Sequence, residues 1–386
     1  MRGPTSRRVA AVLLSGLIVA AGVTAGVTAF ALQPARPATH AKSTAPYWSV
    51  LSKIAAAAAG SGESLSVAGG PITLSALACA AADCVAVGGP WIAAGDLAGT
   101  YVLRRAPAGT GYLSGVACPS ATRCIAIAQQ DGLGKDNLVV TSRDGGRTWT
   151  GRQLPTAVDG LASISCPSVS DCMAVGEGGG KGEIVTTADG GATWRLVHPE
   201  LAGLDAVACT SGRRCVAAGW LTGGTRPALI RTTDGGRTWL AGAVPAGVQA
   251  LDTISCPASL VCYGGGFAGA RGQKAFPGAI VVTGDGGASW ALLGPPAQTG
   301  PVNAISCLDA ARCVAVGTAS AGARGGPAGS AVSTADGGRH WSVDELPPSV
   351  EGIAGATCVP PTECLAIAAG TLGHVALVIE TALSPA

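Results

Sequence analysis

Aromatic and charged residues are both scarce in this chain. Of its 386 residues only 4 % are Phe, Tyr or Trp and 12 % are Asp, Glu, Lys or Arg, with two Met and four His. A disordered chain would need more charge and fewer apolar residues than the 48 % found here. A formal charge of +2 offers no basic footprint, so nucleic acid is excluded as a partner. Removing residues 1–31 takes three arginines and no acid with it, leaving the remainder at −1. The four His, at His40, His198, His340 and His374, are too scattered to build a metal site. No metal and no other cofactor is expected.

Glycine, by contrast, is abundant, with 59 residues. Many glycines and few charges suit short strands joined by tight turns. The one long apolar run lies at the start. Arg7 and Arg8 precede an alanine-rich stretch from Val9 to about Leu32, and Ala29-Phe30-Ala31 fits a small-residue cleavage site. Residues 1–31 therefore read as a secretory signal. Residues 9–31 are also long enough to span a bilayer uncut, as an N-terminal membrane anchor. No Cys precedes position 79, which excludes a lipoprotein anchor. Residues 32–46 form a Pro/Ala/Thr-rich linker. Either way, the rest of the chain is expected outside the cytoplasm.

Fourteen cysteines fall into seven close pairs: Cys79/Cys84, Cys118/Cys124, Cys166/Cys172, Cys209/Cys215, Cys256/Cys262, Cys307/Cys313 and Cys358/Cys364. Successive pairs start 39, 48, 43, 47, 51 and 51 residues apart, the self-similarity of a repeat architecture. Each pair flanks a short turn between runs of alternating apolar residues, as in SISCPSVSDCMAVG, which describes a hairpin. Cysteines facing each other across such strands are close enough to bond, and an exported protein keeps the bond oxidised. Zinc sites prefer shorter spacing and ligands from a second pair. Seven local disulfides are expected.

Downstream of five pairs comes a second motif: SRDGGRTW, TADGGATW, TTDGGRTW, TGDGGASW and TADGGRHW. Its acids and tryptophans are Asp144/Trp149, Asp189/Trp194, Asp234/Trp239, Asp285/Trp290 and Asp336/Trp341. Asp and Ser/Thr side chains fasten tight turns, and Gly supplies positive φ. The Trp is expected to begin the next strand and to bury a large ring against the neighbouring unit. Five identical turns are simpler to explain than five catalytic sites. The motif matches the Asp-box, or bacterial neuraminidase repeat, pattern. Residues 47–386 thus resemble the Asp-box propellers, a group that includes sialidases, xyloglucan-cleaving hydrolases, sortilin-type receptors and photosystem II assembly factors. Blade count and spacing look most like the assembly factors; a cysteine pair in every blade is a departure.

Four strands per repeat, seven times over, make a seven-bladed all-β propeller with four-stranded antiparallel blades. In the third repeat the fourth strand is expected to start at Thr193. After Cys364 the chain supplies only a third strand. YWSV at 47–50 resembles HWSV at 340–343, so Trp48-Ser49-Val50 is expected to close the ring as the outer strand of the last blade. The segment IAAAAAGSGESLSVAGG that follows suits a short helix and loop.

In this topology the disulfide turns and Asp motifs share one face, leaving the variable loops on the other, where binding residues tend to sit. Trp91, Trp220, Arg226, Arg271, Lys274 and Arg324 fall in those loops, and aromatic and Arg residues are common interface anchors. Asp205, Asp252 and Asn303 stand four residues before the first cysteine of three adjacent blades, starting the innermost strands at the channel mouth. Their oxygens are placed to converge on a polar ligand or cation. A sialidase would need an Arg triad and a Tyr nucleophile with a Glu partner; no Phe/Tyr-Arg-Ile-Pro motif occurs, and TRPALI at 225–230 only faintly echoes it. Two-carboxylate hydrolysis has Asp205 and Asp252 as its one aligned pair. The expectation is a monomeric, non-catalytic module binding an extracytoplasmic protein or glycan, with a glycoside hydrolase as the alternative and a purely structural envelope role behind both.

Overall fold

A computed structural model of the chain describes residues 48–54, 72–129, 138–154, 158–199, 201, 203–221, 226–269, 276–320, 328–370 and 376–383. The leader, the linker and the segment at 55–70 lie outside them. Among the described residues no helix is long and apolar enough to cross a membrane.

Seven four-stranded antiparallel sheets form the seven blades, with blade 1 starting at Ala76 and blade 7 at Val350. Blade 3 shows the plan. Its strands Leu161–Ser165, Cys172–Gly178, Lys181–Thr187 and Arg195–Val197 pair in chain order from the innermost outwards. The outer strand begins at Arg195 instead of Thr193, because the Thr193 N–H and hydroxyl both donate to Asp189 (2.9 and 2.6 Å).

All seven cysteine pairs are bonded, with Cα–Cα separations of 4.0–4.1 Å. Cys209 and Cys215, for example, stand directly opposite in the hairpin register. That facing arrangement does not extend to every blade. In blade 2 the inner strand ends at Ala117, so Cys124 opens the second strand opposite Ser142 of the third, with Cys118 already in the turn. Blades 3 and 5 behave alike, their inner strands ending at Ser165 and Ser255. The cause is the next residue. Pro119, Pro167 and Pro257 have no N–H to extend the ladder, whereas Thr210 and Leu308 at that position donate to Arg214 O (3.0 Å) and Arg312 O (2.9 Å). The Cys118–Cys124 bond forms all the same and leaves Cys124 only 2 % exposed.

The Asp-Gly-Gly turns are fastened as the residue types require. In blade 3 the Thr187 hydroxyl donates to Asp189 Oδ1 (2.7 Å) and accepts from the Gly191 N–H (2.9 Å). Gly190 and Gly191 adopt φ of 70° and 87°, which a side chain would oppose. The same turn then leans on the disulfide turn of its own blade: Gly190 N–H donates to Ser170 O at 2.8 Å, and Gly235, Gly286 and Gly337 repeat the bond. Both turn types therefore lie on one face, as expected. A sixth, degenerate copy of the turn lies in blade 1. Asp96 accepts the Thr100 N–H at 3.1 Å, and Tyr101 follows where the others carry Trp.

These hydrogen bonds hold the turn carboxylates in their charged form. The Thr148 hydroxyl and N–H, as first causes, bring Asp144 down to about 2, and His340 does the same for Asp336. Asp285 is lowered by Ser289 in the same way. A lowered folded-state pKa adds stability that is present above the ordinary carboxylate value and is lost as pH falls towards 2. Asp285→Ala is therefore expected to lower the melting temperature by a few degrees at pH 7, and by much less near pH 2. Calorimetry showing an equal drop at both pH values would refute that account.

Each turn Trp packs on the preceding blade. Trp149 joins Val85 and Ala94 of blade 1, Trp194 joins Ile125 and Val139 of blade 2, and Trp290 joins Val216 and Leu229 of blade 4. Trp239 joins Met173 and Ile184 of blade 3. It corrects the sequence expectation in two respects. The outer strand of blade 4 starts at Leu240, one residue after Trp239, because Asp234 still holds the Thr238 N–H (3.0 Å) and hydroxyl (2.6 Å). Its side chain is also only half-buried, as are those of Trp149, Trp194 and Trp341; Trp290 alone of the five is buried. Trp48 occupies the equivalent place at the last junction, against Val314, Val316 and Ala331 of blade 6. Ser49–Ile54 then pairs with Ala376–Ala382, so an N-terminal strand closes the ring. Tyr101 fills the matching position between blades 7 and 1.

Candidate functional site

The innermost strands carry a feature that period-two reading does not reveal. Pairing with the second strand slips by one residue between Leu113 and Gly115, Leu161 and Ser163, Leu204 and Ala206, Leu251 and Thr253, Val302 and Ala304, and Ile353 and Gly355. The extra residues are Ser114, Ala162, Asp205, Asp252, Asn303 and Ala354. Asp205, Asp252 and Asn303 are expected from the sequence to begin their strands; they and their counterparts instead sit within them, at β-bulges, which re-aim a side chain out of the ladder. In four of these blades the second-strand residue facing the bulge is glycine: Gly176, Gly219, Gly266 and Gly317. An added Cβ at Gly219 would strike the carbonyl of Gly203 on the inner strand.

Bulge side chains in two blades bind the next blade. Ser114 Oγ donates to Leu161 O at 2.5 Å, and Asn303 Nδ2 donates to Ile353 O at 2.8 Å. Hydroxyls one or three residues further on bind the neighbouring strand too. Ser163 Oγ accepts from Val207 N–H (3.1 Å), Ser165 Oγ from Cys209 N–H (3.0 Å), and Thr253 Oγ1 from Ile305 N–H (3.2 Å). The inner strand edges are stitched to each other by polar side chains. Ser163, Ser165 and Thr253 did not stand out in the sequence.

Asp205 and Asp252 occupy the same bulge position but, as carboxylates, cannot donate to a neighbouring carbonyl. Both are raised. Burial is the main cause for Asp205, opposed by the Trp220 side chain donating to it and reinforced by the charge of Glu177. Asp252 is open to solvent yet enclosed by protein, and that enclosure, with the nearby Asp205 charge second, pushes it up to about 6. Two adjacent blades thus bring two interacting acids and one indole together. Asn303 is not shown to join them, since its amide is committed to blade 7. Among the described residues no group of three His, Cys, Asp or Glu is arranged to hold a metal ion. A pair of this kind can accept from hydroxyls or ammonium groups, and Asp252 can carry a proton in the mildly acidic range.

The remaining candidates divide. Trp91 is buried (7 % exposed) in the core between blades 7 and 1, with the Arg105 guanidinium 4.8 Å from its ring centre, so it is committed to packing. Arg226 is exposed at the blade 4 loop, where its carbonyl accepts the Leu221 N–H (2.9 Å). Arg271, Lys274 and Arg324 lie outside the described residues. On blade 5 Phe267 and Phe276 meet edge to face at 5.2 Å, with Phe276 39 % exposed. Exposed Tyr112 and Leu221 add apolar surface to the same face. Glu183, only 1 % exposed, accepts the Asp159 N–H (3.1 Å) and is raised by burial. It anchors the loop leading into blade 3.

No protein-family profile matches the chain, and comparison with curated proteins finds no similar sequence. Solved structures do resemble it. A structure described as YCF48 bound to D1 peptide superposes with a TM-score of 0.58 at 13 % identity, covering 81 % of this chain and 92 % of that one. The WD40 repeats of RRP9 give 0.62 at 10 %, covering 88 % and 99 %. The GH74 xyloglucanase from Xanthomonas campestris gives 0.56 at 16 %, covering 86 % of this chain and 53 % of the enzyme. At these identities, what the chain shares with a peptide-bound protein, a WD40 protein and a glycoside hydrolase is the propeller fold.

Proposed function

We propose that this chain is an Asp-box type propeller, exported by its leader, that binds an extracytoplasmic protein or glycan through the loop face without catalysing a reaction. The observation that carries the reading is the division of labour between the faces. On one, the five turn carboxylates are all consumed by their own turns. On the other, the charge of Asp205 reaches Asp252, Trp220 donates to Asp205, and Tyr112, Leu221 and Phe276 are exposed. Seven disulfides support an oxidising compartment. That propellers of this kind serve as binding modules is consistent with the peptide-bound neighbour.

The raised acid pair supports a second reading, a glycoside hydrolase with Asp252 as proton donor. One experiment separates them. The full chain is presented to cell-envelope extract and to a glycan panel, following both retention and bond cleavage. A ligand retained without turnover, and bound about tenfold more weakly by Asp252→Asn or Trp220→Ala, is the expected result. Turnover that Asp252→Asn abolishes would replace the binding module with the hydrolase.

A further inference from the structure

On the opposite face an arginine crosses from one blade to the next at two junctions. In blade 2 Arg123, the residue before the second cysteine, crosses into blade 3 and donates from Nη2 to Gly190 O at 3.2 Å. In blade 6 Arg312 crosses into blade 7 and donates from Nη1 to Pro361 O at 3.2 Å. Blade 4 carries Arg214 at this position, beside Asp285 and Gly286 of blade 5, where only about 30 Å³ of space remains. Blade 3 carries Asp171 instead. Its carboxylate accepts the hydroxyls of Ser168 (2.7 Å) and Ser170 (3.1 Å) from its own turn. A cavity of about 540 Å³ lies here between blades 3 and 4; blades 1, 5 and 7 also lack the arginine, with Asp83, Val261 and Glu363 in its place.

The lining has two characters. Met173, 3 % exposed, and half-buried Trp194 give it an apolar wall, while Arg195, Arg213 and Arg237 are exposed around it. Asp234 also borders the space, but its oxygens already accept from Arg237 N–H, Thr238 N–H and the hydroxyls of Thr232 and Thr238. Asp234 stays charged within its turn, so three guanidinium groups face two carboxylates, and the surplus of one positive charge, with Asp234's oxygens already taken, favours an anion.

We propose that the blade 3–blade 4 junction is a second binding site, on the turn face, for an acidic polypeptide segment. Its carboxylates pair with Arg195, Arg213 and Arg237, and its apolar side chains rest on Met173 and Trp194. An anionic glycan would satisfy the arginines but bring no side chain for the apolar wall. The site does not depend on the loop-face reading.

The test titrates the full chain against a fluorescein-labelled peptide of alternating Leu and Glu, read by anisotropy. Saturable binding that weakens with salt is expected, reduced about tenfold by Arg213→Glu and left unchanged by Asp252→Asn. The decisive variant is Asp171→Arg, which supplies the arginine that blades 2 and 6 send across their junctions. It is expected to keep or raise the melting temperature and to lower affinity about tenfold by filling the cavity, although it adds positive charge. Binding that strengthens in Asp171→Arg would reduce the site to surface electrostatics and overturn the proposal. Absence of saturable binding would overturn it as well, and so would equal affinity for a heparin oligosaccharide. Should Asp171→Arg fail to fold, Arg213→Glu with its melting temperature unchanged decides the matter alone.

Discussion

Trp48→Ala is expected to cost about 4 kcal/mol, among the largest single-residue losses in the chain, and to open the ring at the blade 6–blade 7 junction. Trp48 is fully buried, packed among Val314, Val316 and Ala331 of blade 6 and Ile353, Ala366 and Ile379 of blade 7. Its N–H donates to Glu345 O (3.0 Å) and its indole Nε1 donates to Asp344 Oδ2 (3.0 Å), whose other oxygen accepts from Ser333 Oγ (2.7 Å). Asp344 is 4 % exposed, and burial outweighs both donors, pushing it up to about 6. A raised folded-state pKa gives stability that is complete below the ordinary carboxylate value and is lost as pH rises through about 6. The strand that closes the ring is thus held by a carboxylate that costs stability at neutral pH, by roughly 3 kcal/mol at 1.36 per pH unit. Denaturant titrations separate the contributions. Trp48→Phe, keeping most of the volume but losing the donor, should lose about 1–2 kcal/mol, and Asp344→Asn should flatten the slope between pH 4 and pH 6. A Trp48→Ala protein as stable as its parent would mean that the closure contributes nothing.

Trp48 was legible because its four-residue context repeats at Trp341, and the blades were legible because cysteine pairs and Asp-Gly-Gly turns recur at fixed spacing. Repetition exposes whatever every blade needs. It hides what differs between blades. The turn at Asp96 lacks the paired glycines and ends in Tyr101, so composition concealed it although its hydrogen bond survives. Cys124 and Cys215 look alike in spacing, yet the proline after Cys118 ends one inner strand early and the threonine after Cys209 does not. The extra residue of each inner-strand bulge carries no signature of its own, because Ser, Ala, Asp and Asn all occupy it, so the spacing from the cysteines marks these residues without showing that they lie within the strand. Trp91 shows the limit for single side chains. An indole in a variable loop reads as an anchor, and only packing against blade 7 and the Arg105 contact reveal it as core. Asp171 stands where Arg123 and Arg312 cross their junctions in blades 2 and 6, and no spacing in the sequence states that crossing.

Refolding from denaturant in the presence of a reductant is expected to fail. Each disulfide closes a loop of five or six residues' separation, for which chain entropy gives about 2 kcal/mol. Seven such terms, of order 14 kcal/mol together, match the whole stability of a typical domain, about 5–15 kcal/mol. Removing one bridge is a different matter. Cys256→Ala with Cys262→Ala should cost only about 2 kcal/mol and leave the ring intact, because the hairpin pairing and the packing of blade 5 remain. Adding reductant to the folded protein should also act slowly. The second cysteine of every pair is buried, from 0 % exposed at Cys84, Cys313 and Cys364 to 4 % at Cys172 and Cys215, so attack on that sulfur awaits local opening. Refolding avoids this protection, since the bridges must form or stay open before the blades pack. Circular dichroism after dilution from denaturant, with and without reductant, reads the outcome. A reduced chain that regains the native spectrum and melting temperature would show that packing alone holds the propeller, and the argument for an oxidising compartment would lose its physical basis.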